Sequence, residues 1–324
     1  MSEKFWQEKI TLGKLSFPRV MSAPVDGITD SPMRQMIRQF SNDELLFTEM
    51  FHISCVANEK TERCLKVEPH EHPIGFQVSG SSPQFLEKAI QKIISYKFDM
   101  LNLNAGCPAK NVIKSGSGSA LMAEPKKLET LLRAAHKELA GAMPLTLKMR
   151  AGFKEVNALD IALLAQDCGV EMLIIHPRTQ IQGFTGDLNF DLVKKIKQTV
   201  SIPVIFSGNI IDFETAEQTY EKTGVDGFMI GRALWGAPWK LREIREASEG
   251  KTLAISTKEI LACAIKHLDL NIKFYGDHGV DAFKKHLAQY VRGVPGAASL
   301  RHELLRLKSH EEMRDRLLEL AKES

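Results

Sequence analysis

Short apolar runs recur eight times between residues 19 and 230 and alternate with segments of helical length. Some runs, such as 173–175 and 204–206, are apolar on both faces, which is typical of buried parallel strands. Eight strand–helix units in succession predict an α/β fold, a (β/α)8 TIM barrel. The predicted strands are residues 19–23, 45–50, 74–78, 100–104, 145–150, 172–176, 204–207 and 227–230.

A doubly wound parallel sheet is the structural alternative for the same alternation. Such a sheet usually carries a GxGxxG turn after its first strand, whereas residues 23–30 read APVDGITD. Helix starts are marked by Ser82 before Pro83 and by Asp212 at the head of an acidic turn. The lack of a GxGxxG turn after the first strand favours the barrel.

The chain after Trp239 has a different pattern, with no predicted strand. Helical patterns cover residues 257–274, 280–292, 299–307 and 311–321. We therefore expect a catalytic barrel in residues 1–244 and a smaller all-helical C-terminal domain in residues 245–324.

Composition excludes several classes of protein. Of the 324 residues 44% are hydrophobic, enough for a core, and no run reaches the ~18 apolar residues of a membrane span. The first ten residues lack the apolar segment of a secretory signal, so a cytoplasmic location without membrane contact is expected. A net charge of only +3 does not by itself indicate a nucleic-acid partner.

The five cysteines are expected to be reduced, since their number is odd and no secretory signal is present. No pair has zinc-finger spacing, and no metal is expected. The cysteines stand at Cys55, Cys64, Cys107, Cys168 and Cys263. All except Cys107 are predicted to be packing residues, because their neighbours are apolar or helical.

Residues 282–310 form a locally basic window with six Lys or Arg and one acidic residue. It is either a contact surface for a phosphate backbone or an ordinary solvated helix face. If it contacts a phosphate backbone, the contact residues would include Lys284, Lys285, His286 and Arg292.

Polar or glycine residues terminate every predicted strand, and in a TIM barrel the carboxyl ends of the strands carry the active site. The loops after strands 7 and 8 suit a phosphate, because glycines expose backbone N–H groups there. The alternative is that these glycines only make tight turns. The residues at the strand ends are Pro24, Val25, Asp26, Glu49, Gln77, Asn104, Cys107, Lys148, Arg150, His176, Arg178, Ser207, Gly208, Asn209, Gly231 and Arg232.

Lys148 lies inside an apolar strand and needs an anionic partner there. A flavin fits this requirement, and a salt bridge to Glu49 is the alternative. Gln77 suits the polar edge of a flavin ring, although from the sequence alone a hydrogen-bonded core amide is the more common role. His176 is a base, a phosphate contact or a buried structural residue.

Cys107 is the candidate for chemistry. It lies in a loop past strand 4, in the segment NAGCP. A free thiol has a pKa of about 8.5, so at pH 7 it is mostly protonated and can donate a proton. The alternative is a small buried apolar side chain.

Several segments over about residues 18–305 resemble the tRNA-dihydrouridine synthases. They are APVDGITD (23–30), GFQVSG (75–80), LNLNAGCPAKNV (101–112), GSGSALM (116–122), LKMRAG (147–152), HPRTQIQGFTG (176–186), IPVIFSGNI (202–210), DGFMIGRA (226–233) and FKKHLAQY (283–290). The segment around Cys107, with the later Lys and His segments, is the most specific.

The resemblance implies an FMN-containing barrel that reduces the 5,6 double bond of uridines in tRNA, with NADPH as electron source. It implies that reduced FMN passes a hydride to carbon 6 and that Cys107 protonates carbon 5, with Asn104 beside the base. It further implies that FMN is held by Pro24, Val25, Asp26, Gln77, Lys148 and His176, and its phosphate by Ser207, Gly208, Asn209, Gly231 and Arg232.

Arg150 and Arg178 at the barrel mouth, with Arg232, give a positive lining suited to the tRNA backbone. No obligate protein partner is expected, and the chain is expected to be monomeric. Val25, Asp26 and Asn209 depart from the usual family pattern, which puts a side-chain role of Asp26 in doubt.

Three alternatives remain at this point. The chain is an FMN barrel reductase of a small free pyrimidine or enone, a tRNA-binding module without chemistry, or a lyase with Lys148 as a Schiff base.

Overall fold

The computed structural model describes residues 3–58, 65–294 and 296–323. The N-terminal part holds helix α1 (Glu3–Gln7) and a hairpin of β1 (Ile10–Leu12) and β2 (Leu15–Phe17). The barrel strands are β3 (Val20–Ser22), β4 (Leu46–His52), β5 (Ile74–Ser79), β6 (Met100–Ala105), β7 (Leu145–Gly152), β8 (Met172–Thr179), β9 (Val204–Ser207) and β10 (Gly227–Ile230).

Helices follow the barrel strands. They are α2 (Ser31–Ile37), α3 (Ile53–Ala57), α4 (Pro83–Ser95), α5 (Lys110–Lys114), α6 (Pro125–Leu139), α7 (Ala158–Asp167), α8 (Phe190–Thr199), α9 (Phe213–Thr223) and α10 (Lys240–Ser248). The C-terminal helices are α11 (Thr257–Tyr275), α12 (Gly279–Tyr290), α13 (Ala297–Leu304) and α14 (His310–Glu323).

The eight barrel strands pair in parallel in the order β3-β10-β9-β8-β7-β6-β5-β4. Two hydrogen bonds link β3 to the start of β4, the strand at the other end of this order. Ser22 N–H donates to the Leu45 carbonyl at 3.1 Å, and Phe47 N–H donates to Ser22 Oγ at 2.9 Å. The predicted TIM barrel is thereby confirmed, and each predicted strand matches an observed one within three residues.

The barrel interior is filled by apolar side chains that share one cluster with the hairpin. Ile10, Leu12 and Phe17 of the hairpin pack with inward residues such as Met21 and Met229. Since Ile10 contacts the start of β10 at Gly227, the hairpin covers the amino ends of the strands. The site must therefore lie at the opposite end. The sequence analysis missed α1 and this hairpin.

The all-helical C-terminal region is also confirmed, and the structure shows no strand in the described residues after β10. Its core is separate from that of the barrel and includes Leu268, Phe283 and Leu317. Helix α10 spans the predicted domain boundary at residues 244/245, and its buried Leu241 and Ile244 belong to the barrel core. The boundary itself stays a prediction.

Contacts between the two regions are polar and aromatic. Tyr275 Oη on α11 donates to Asp30 Oδ2 at 2.8 Å, and Trp235 Nε1 donates to the Lys285 carbonyl at 3.1 Å. The rings of Phe40 and Trp239, both of which precede α10 in the chain, pack edge to face at 5.8 Å and both contact the core of the helical region. No described helix is long and apolar enough to cross a membrane.

Candidate functional site at the carboxyl ends of the strands

Asn104 holds the loop that carries Cys107. Its Oδ1 accepts hydrogen bonds from the backbone N–H of Gly106 at 3.0 Å and of Cys107 at 2.8 Å. The Asn104 amide is fixed in turn, because its Nδ2 donates to Gln77 Oε1 at 2.9 Å. The side chain of Asn104 therefore sets the backbone position of Cys107 from the end of β6.

Gln77 is fully buried and belongs to a chain of side-chain hydrogen bonds across three strands. Its Nε2 donates to Asn102 Oδ1 at 2.7 Å, and Asn102 Nδ2 donates to Thr146 Oγ1 at 2.8 Å. This is the core-amide role that the sequence left open. A flavin contact of Gln77 stays a prediction.

Cys107 is half-buried and is held from its other side by the loop after α5. Its carbonyl accepts hydrogen bonds from Ser119 N–H at 3.0 Å and from Ser119 Oγ at 2.9 Å. Gly118 (φ +59°) passes so close that a Cβ there would lie 2.8 Å from the Cys107 carbonyl oxygen and 3.2 Å from the Cys107 Cβ. Glycine at this position lets the loop pack on the cysteine.

Lys148 lies opposite Asn104 in the register of β6 and β7. No carboxylate among the described residues forms an ion pair with it. Burial and the neighbouring Arg150 lower the pKa of Lys148 to about 8, and nearby Cys107 acts in the opposite direction. The alternative of a salt bridge to Glu49 is not found. Glu49 instead accepts a hydrogen bond from Gly27 N–H at 2.7 Å.

His176 lies in the same positive environment, on β8, the strand next to β7. Burial first, and then the charges of Lys148 and Arg150, lower the pKa of His176 to about 2, so its imidazole is neutral at pH 7. The buried Nδ1 has no hydrogen-bond partner among the described residues. A buried imidazole nitrogen without a partner is unusual, and a group bound at this face would supply one.

Arg150 and Arg178 are both buried, at 2% and 4% exposure. Arg150 Nε donates to the Gly106 carbonyl at 2.8 Å, and Nη1 donates to the carbonyls of Thr179 and Gly183. Arg178 Nε donates to the Gly186 carbonyl, while its buried Nη1 has no partner in the part of the chain that the structure describes. Arg150 thus connects the Cys107 loop to the loop after β8, and Arg178 Nη1 is available as a donor to a ligand.

The predicted phosphate loops are brought together by the pairing of β9 and β10. Ser207 ends β9, and Asn209 adopts a left-handed conformation with φ +53°. Gly231 follows β10, and the nearest heavy atom to a Cβ placed there is Ala23 Cβ at 3.7 Å. Exposed Arg232 stands next to this open space. Gly208 lies between Ser207 and Asn209, so the five predicted residues share one corner of the barrel mouth.

The residues after β3 lie at the same face. Val25 packs against the interior cluster and Pro24 is half-buried, whereas Asp26 is exposed. The exposure of Asp26 agrees with the doubt about its side-chain role.

The predicted tRNA contacts in the helical region differ in accessibility. Arg292 is exposed, and half-buried Lys284 forms an ion pair with Asp281 at 2.8 Å. Lys285 Nζ lies 3.7 Å from Asp30 Oδ2. The prediction for His286 is wrong for this conformation, because its side chain is fully buried in the core of the helical region and cannot contact RNA.

The comparisons with known proteins agree with the motifs at this face. The dihydrouridine synthase (Dus) family model matches residues 21–324. The chain belongs to the dihydrouridine synthase family. A probable tRNA-dihydrouridine synthase 1 of Synechocystis sp. is 33% identical over 318 residues, covering 96% of this chain and 89% of the relative. The tRNA-dihydrouridine synthase B of Pseudomonas syringae pv. tomato is 34% identical, covering 89% and 87%.

Solved structures with the same fold are more distant. Histamine dehydrogenase from Rhizobium sp. 4-9 has a TM-score of 0.60 at 11% identity, covering 83% of this chain and 51% of that one. The old yellow enzyme homologue from Zymomonas mobilis has a TM-score of 0.59 at 14% identity, covering 77% and 94%. These similarities support the barrel fold of this family member.

Phe184 is a residue of the site that the sequence analysis missed. It is 55% exposed, and its ring centroid lies 5.4 Å from the Arg150 Cζ and 5.5 Å from the Arg232 Cζ. The His176 ring packs edge to face on it at 6.1 Å. An aromatic residue in a glycine-containing loop after a barrel strand was the available signal.

The remaining cysteines are accounted for separately. Cys107, Cys168 and Cys263 are free thiols, and Cys55 is half-buried. Burial raises the pKa of Cys168, and it raises that of Cys263 to about 11. Cys64 lies outside the described residues.

Proposed function

We propose that this member of the dihydrouridine synthase family reduces the 5,6 double bond of uridines in tRNA, with FMN as cofactor and NADPH as reductant. The observation that carries the proposal is the position of Cys107, which lies beside buried cations at the carboxyl end of the barrel. The family membership supports the reaction, and the geometry of the site supports the roles of the residues. We further propose that the enzyme acts in the cytoplasm as a monomer.

The chemistry of the site fits FMN. Lys148, Arg178 and Arg232 are cationic, and His176 and Arg178 each have a buried polar atom without a partner among the described residues. A group with an anionic ring edge and a phosphate satisfies these atoms and the positive charge. FMN bound there would supply the electron pair for carbon 6 of the uracil.

The binding roles follow from position. Lys148, His176 and Gln77, with Pro24, Val25 and the backbone at Asp26, would surround the flavin ring. The phosphate would be held by Ser207, Gly208, Asn209, Gly231 and Arg232, where backbone N–H groups of two adjacent loops meet open space.

Cys107 would supply the proton to carbon 5 of the base. When Cys107 gives up this proton, a thiolate is left next to Lys148 and Arg150, both of which interact electrostatically with Cys107. Asn104 would keep the thiol in position through its two hydrogen bonds to the loop.

The target uridine must leave its base stack to reach this face. Exposed Arg232 at the mouth and exposed Arg292 on the helical region are accessible cations for the phosphate backbone, whereas half-buried Lys284 would have to leave its ion pair with Asp281 to contribute. Because Arg150 donates hydrogen bonds to backbone carbonyls, its proposed effect on the substrate is through its positive charge.

The experiment that tests the proposal uses the full-length flavin-loaded protein with NADPH and an unmodified tRNA transcript. We expect dihydrouridine in the tRNA by mass spectrometry, and no reduction of free uridine under the same conditions. Reduction of free uridine as fast as of tRNA, or no product in any tRNA, would overturn it. An NADH reaction in parallel tests the choice of reductant.

A further inference from the structure

Three ionisable side chains meet where the barrel contacts the helical region. Asp30 precedes α2 at the barrel mouth, His267 lies on α11 and His286 lies on α12. One ligand atom from each lies within 4.8 Å of those of the other two, and all three side chains are buried. The proposed flavin-dependent reaction does not use any of them.

The two histidines leave three buried nitrogens without hydrogen-bond partners among the described residues. They are His267 Nε2 and both His286 Nδ1 and Nε2. The exposure of both side chains is 0%. Buried polar atoms in folded proteins nearly always have a partner, so a group that accepts one imidazole lone pair from each ring is expected here.

We propose that Asp30, His267 and His286 bind one divalent transition-metal ion, of which Zn²⁺ is the representative, and that this ion joins the helical region to the barrel. Two imidazole nitrogens and one carboxylate oxygen are a common zinc ligand set. The same set disfavours Mg²⁺ and Ca²⁺, which prefer oxygen ligands. Burial lowers the pKa of His267 to about 3 and that of His286 as well, so both are neutral ligands at pH 7.

Hydrogen bonds from neighbouring groups hold two of the three ligands, His267 and Asp30, as is usual around a bound metal. Tyr290 Oη lies 3.1 Å from His267 Nδ1, which leaves His267 Nε2 for the ion. Met33 N–H donates to Asp30 Oδ1 at 3.1 Å, and Tyr275 Oη donates to Asp30 Oδ2 at 2.8 Å. In a tetrahedral zinc site the ligand atoms are about 3.3 Å apart, so binding requires the three groups to move together slightly.

Lys285 opposes a cation at this place. Its Nζ lies 3.7 Å from Asp30 Oδ2, and its side chain is 29% exposed. Because the side chain is long and reaches solvent, its ammonium group can move away when the ion binds. Lys285 therefore competes with the ion for Asp30, which gives the proposal a second and independent test.

The first test measures zinc content of the untagged, full-length, flavin-loaded protein after treatment with a chelator, addition of ZnCl₂ and removal of excess metal. We expect about one equivalent of zinc in the wild type, as in a single structural site, and background zinc in His286→Gln. His302→Gln removes an exposed histidine of α13 and is the matched control that keeps its zinc. Flavin absorbance and circular dichroism establish that each variant is folded.

The proposal is overturned if the wild type retains no more zinc than His286→Gln, or if His302→Gln loses as much. The second test does not depend on the folding of a ligand variant. Lys285→Met keeps all three ligands and removes the competing charge, so zinc should bind at least about tenfold more tightly. An unchanged or weaker affinity for zinc would contradict the site.

Discussion

The positive charge of Lys148 inside the barrel lowers the free energy of unfolding of the flavin-free protein, and this effect can be measured. The pKa of Lys148 is lowered from 10.5 to about 8, chiefly by burial. That difference corresponds to about 3 kcal/mol of unfavourable interaction of the charged form. Lys148→Met keeps a similar apolar chain and removes the charge. We expect flavin-free Lys148→Met to be more stable than the flavin-free wild type at pH 7, by up to about 3 kcal/mol.

The pH dependence has a defined sign. Folded protein releases the Lys148 proton near pH 8, whereas the unfolded chain keeps it up to about pH 10.5. Between these values the unfolded state binds more protons, so wild-type stability rises with pH. The advantage of Lys148→Met should therefore be largest below pH 8 and should disappear toward pH 10.5.

The assay is urea unfolding of flavin-free proteins at several pH values, followed by circular dichroism. Lys126→Met, on the exposed face of α6, is the matched control and should show a difference independent of pH. A Lys148→Met protein that is less stable than the wild type at pH 7, or a stability difference that does not change with pH, would refute the reasoning. In the same protein FMN affinity should fall, because the flavin loses its cationic partner.

Two further substitutions test how the Cys107 loop is held. Asn104→Ala removes the acceptor of two loop N–H groups, so we expect a loss of about 1–3 kcal/mol in the free energy of urea unfolding. The rate of dihydrouridine formation should also fall, at unchanged flavin content. An unaltered rate would contradict the positioning role of Asn104. Gly118→Ala places a Cβ 2.8 Å from the Cys107 carbonyl at φ +59°, whereas Gly141→Ala has a similar φ of +80° with open space around it. The first should lower activity and melting temperature more than the second, and equal effects in both assays would show that the contact is unimportant.

The barrel was predictable from the sequence because its strands are buried on both faces and separated by capped helices. Ser82 and Asp212 cap α4 and α9 as expected, with side-chain oxygens that accept the N–H of Phe85 and Thr215. The hairpin was missed because strands of three residues are too short to show a period of two.

The site was predictable only as far as chain position determines it. Strand ends placed Cys107 and Lys148 correctly at one face, but the hydrogen-bond chain from Gln77 requires the register of neighbouring strands. His286 was assigned to a basic surface on composition, although its spacing from Phe283 and Tyr290 follows the buried stripe of α12. The proximity of His286 to Asp30 depends on the docking of two regions, which no local pattern encodes.

The central claim is that Cys107 donates the proton in a flavin-dependent reduction of uridine in tRNA. The most direct measurement is a single turnover, in which flavin-loaded and pre-reduced enzyme is mixed with unmodified tRNA and dihydrouridine is quantified over time. Cys107→Ala should retain its flavin and lose about 10²–10⁴-fold in the rate of product formation, the range of general-acid catalysis. Cys263→Ala, a half-buried thiol of α11, should keep the wild-type rate. A Cys107→Ala enzyme that forms dihydrouridine at the wild-type rate would contradict the account.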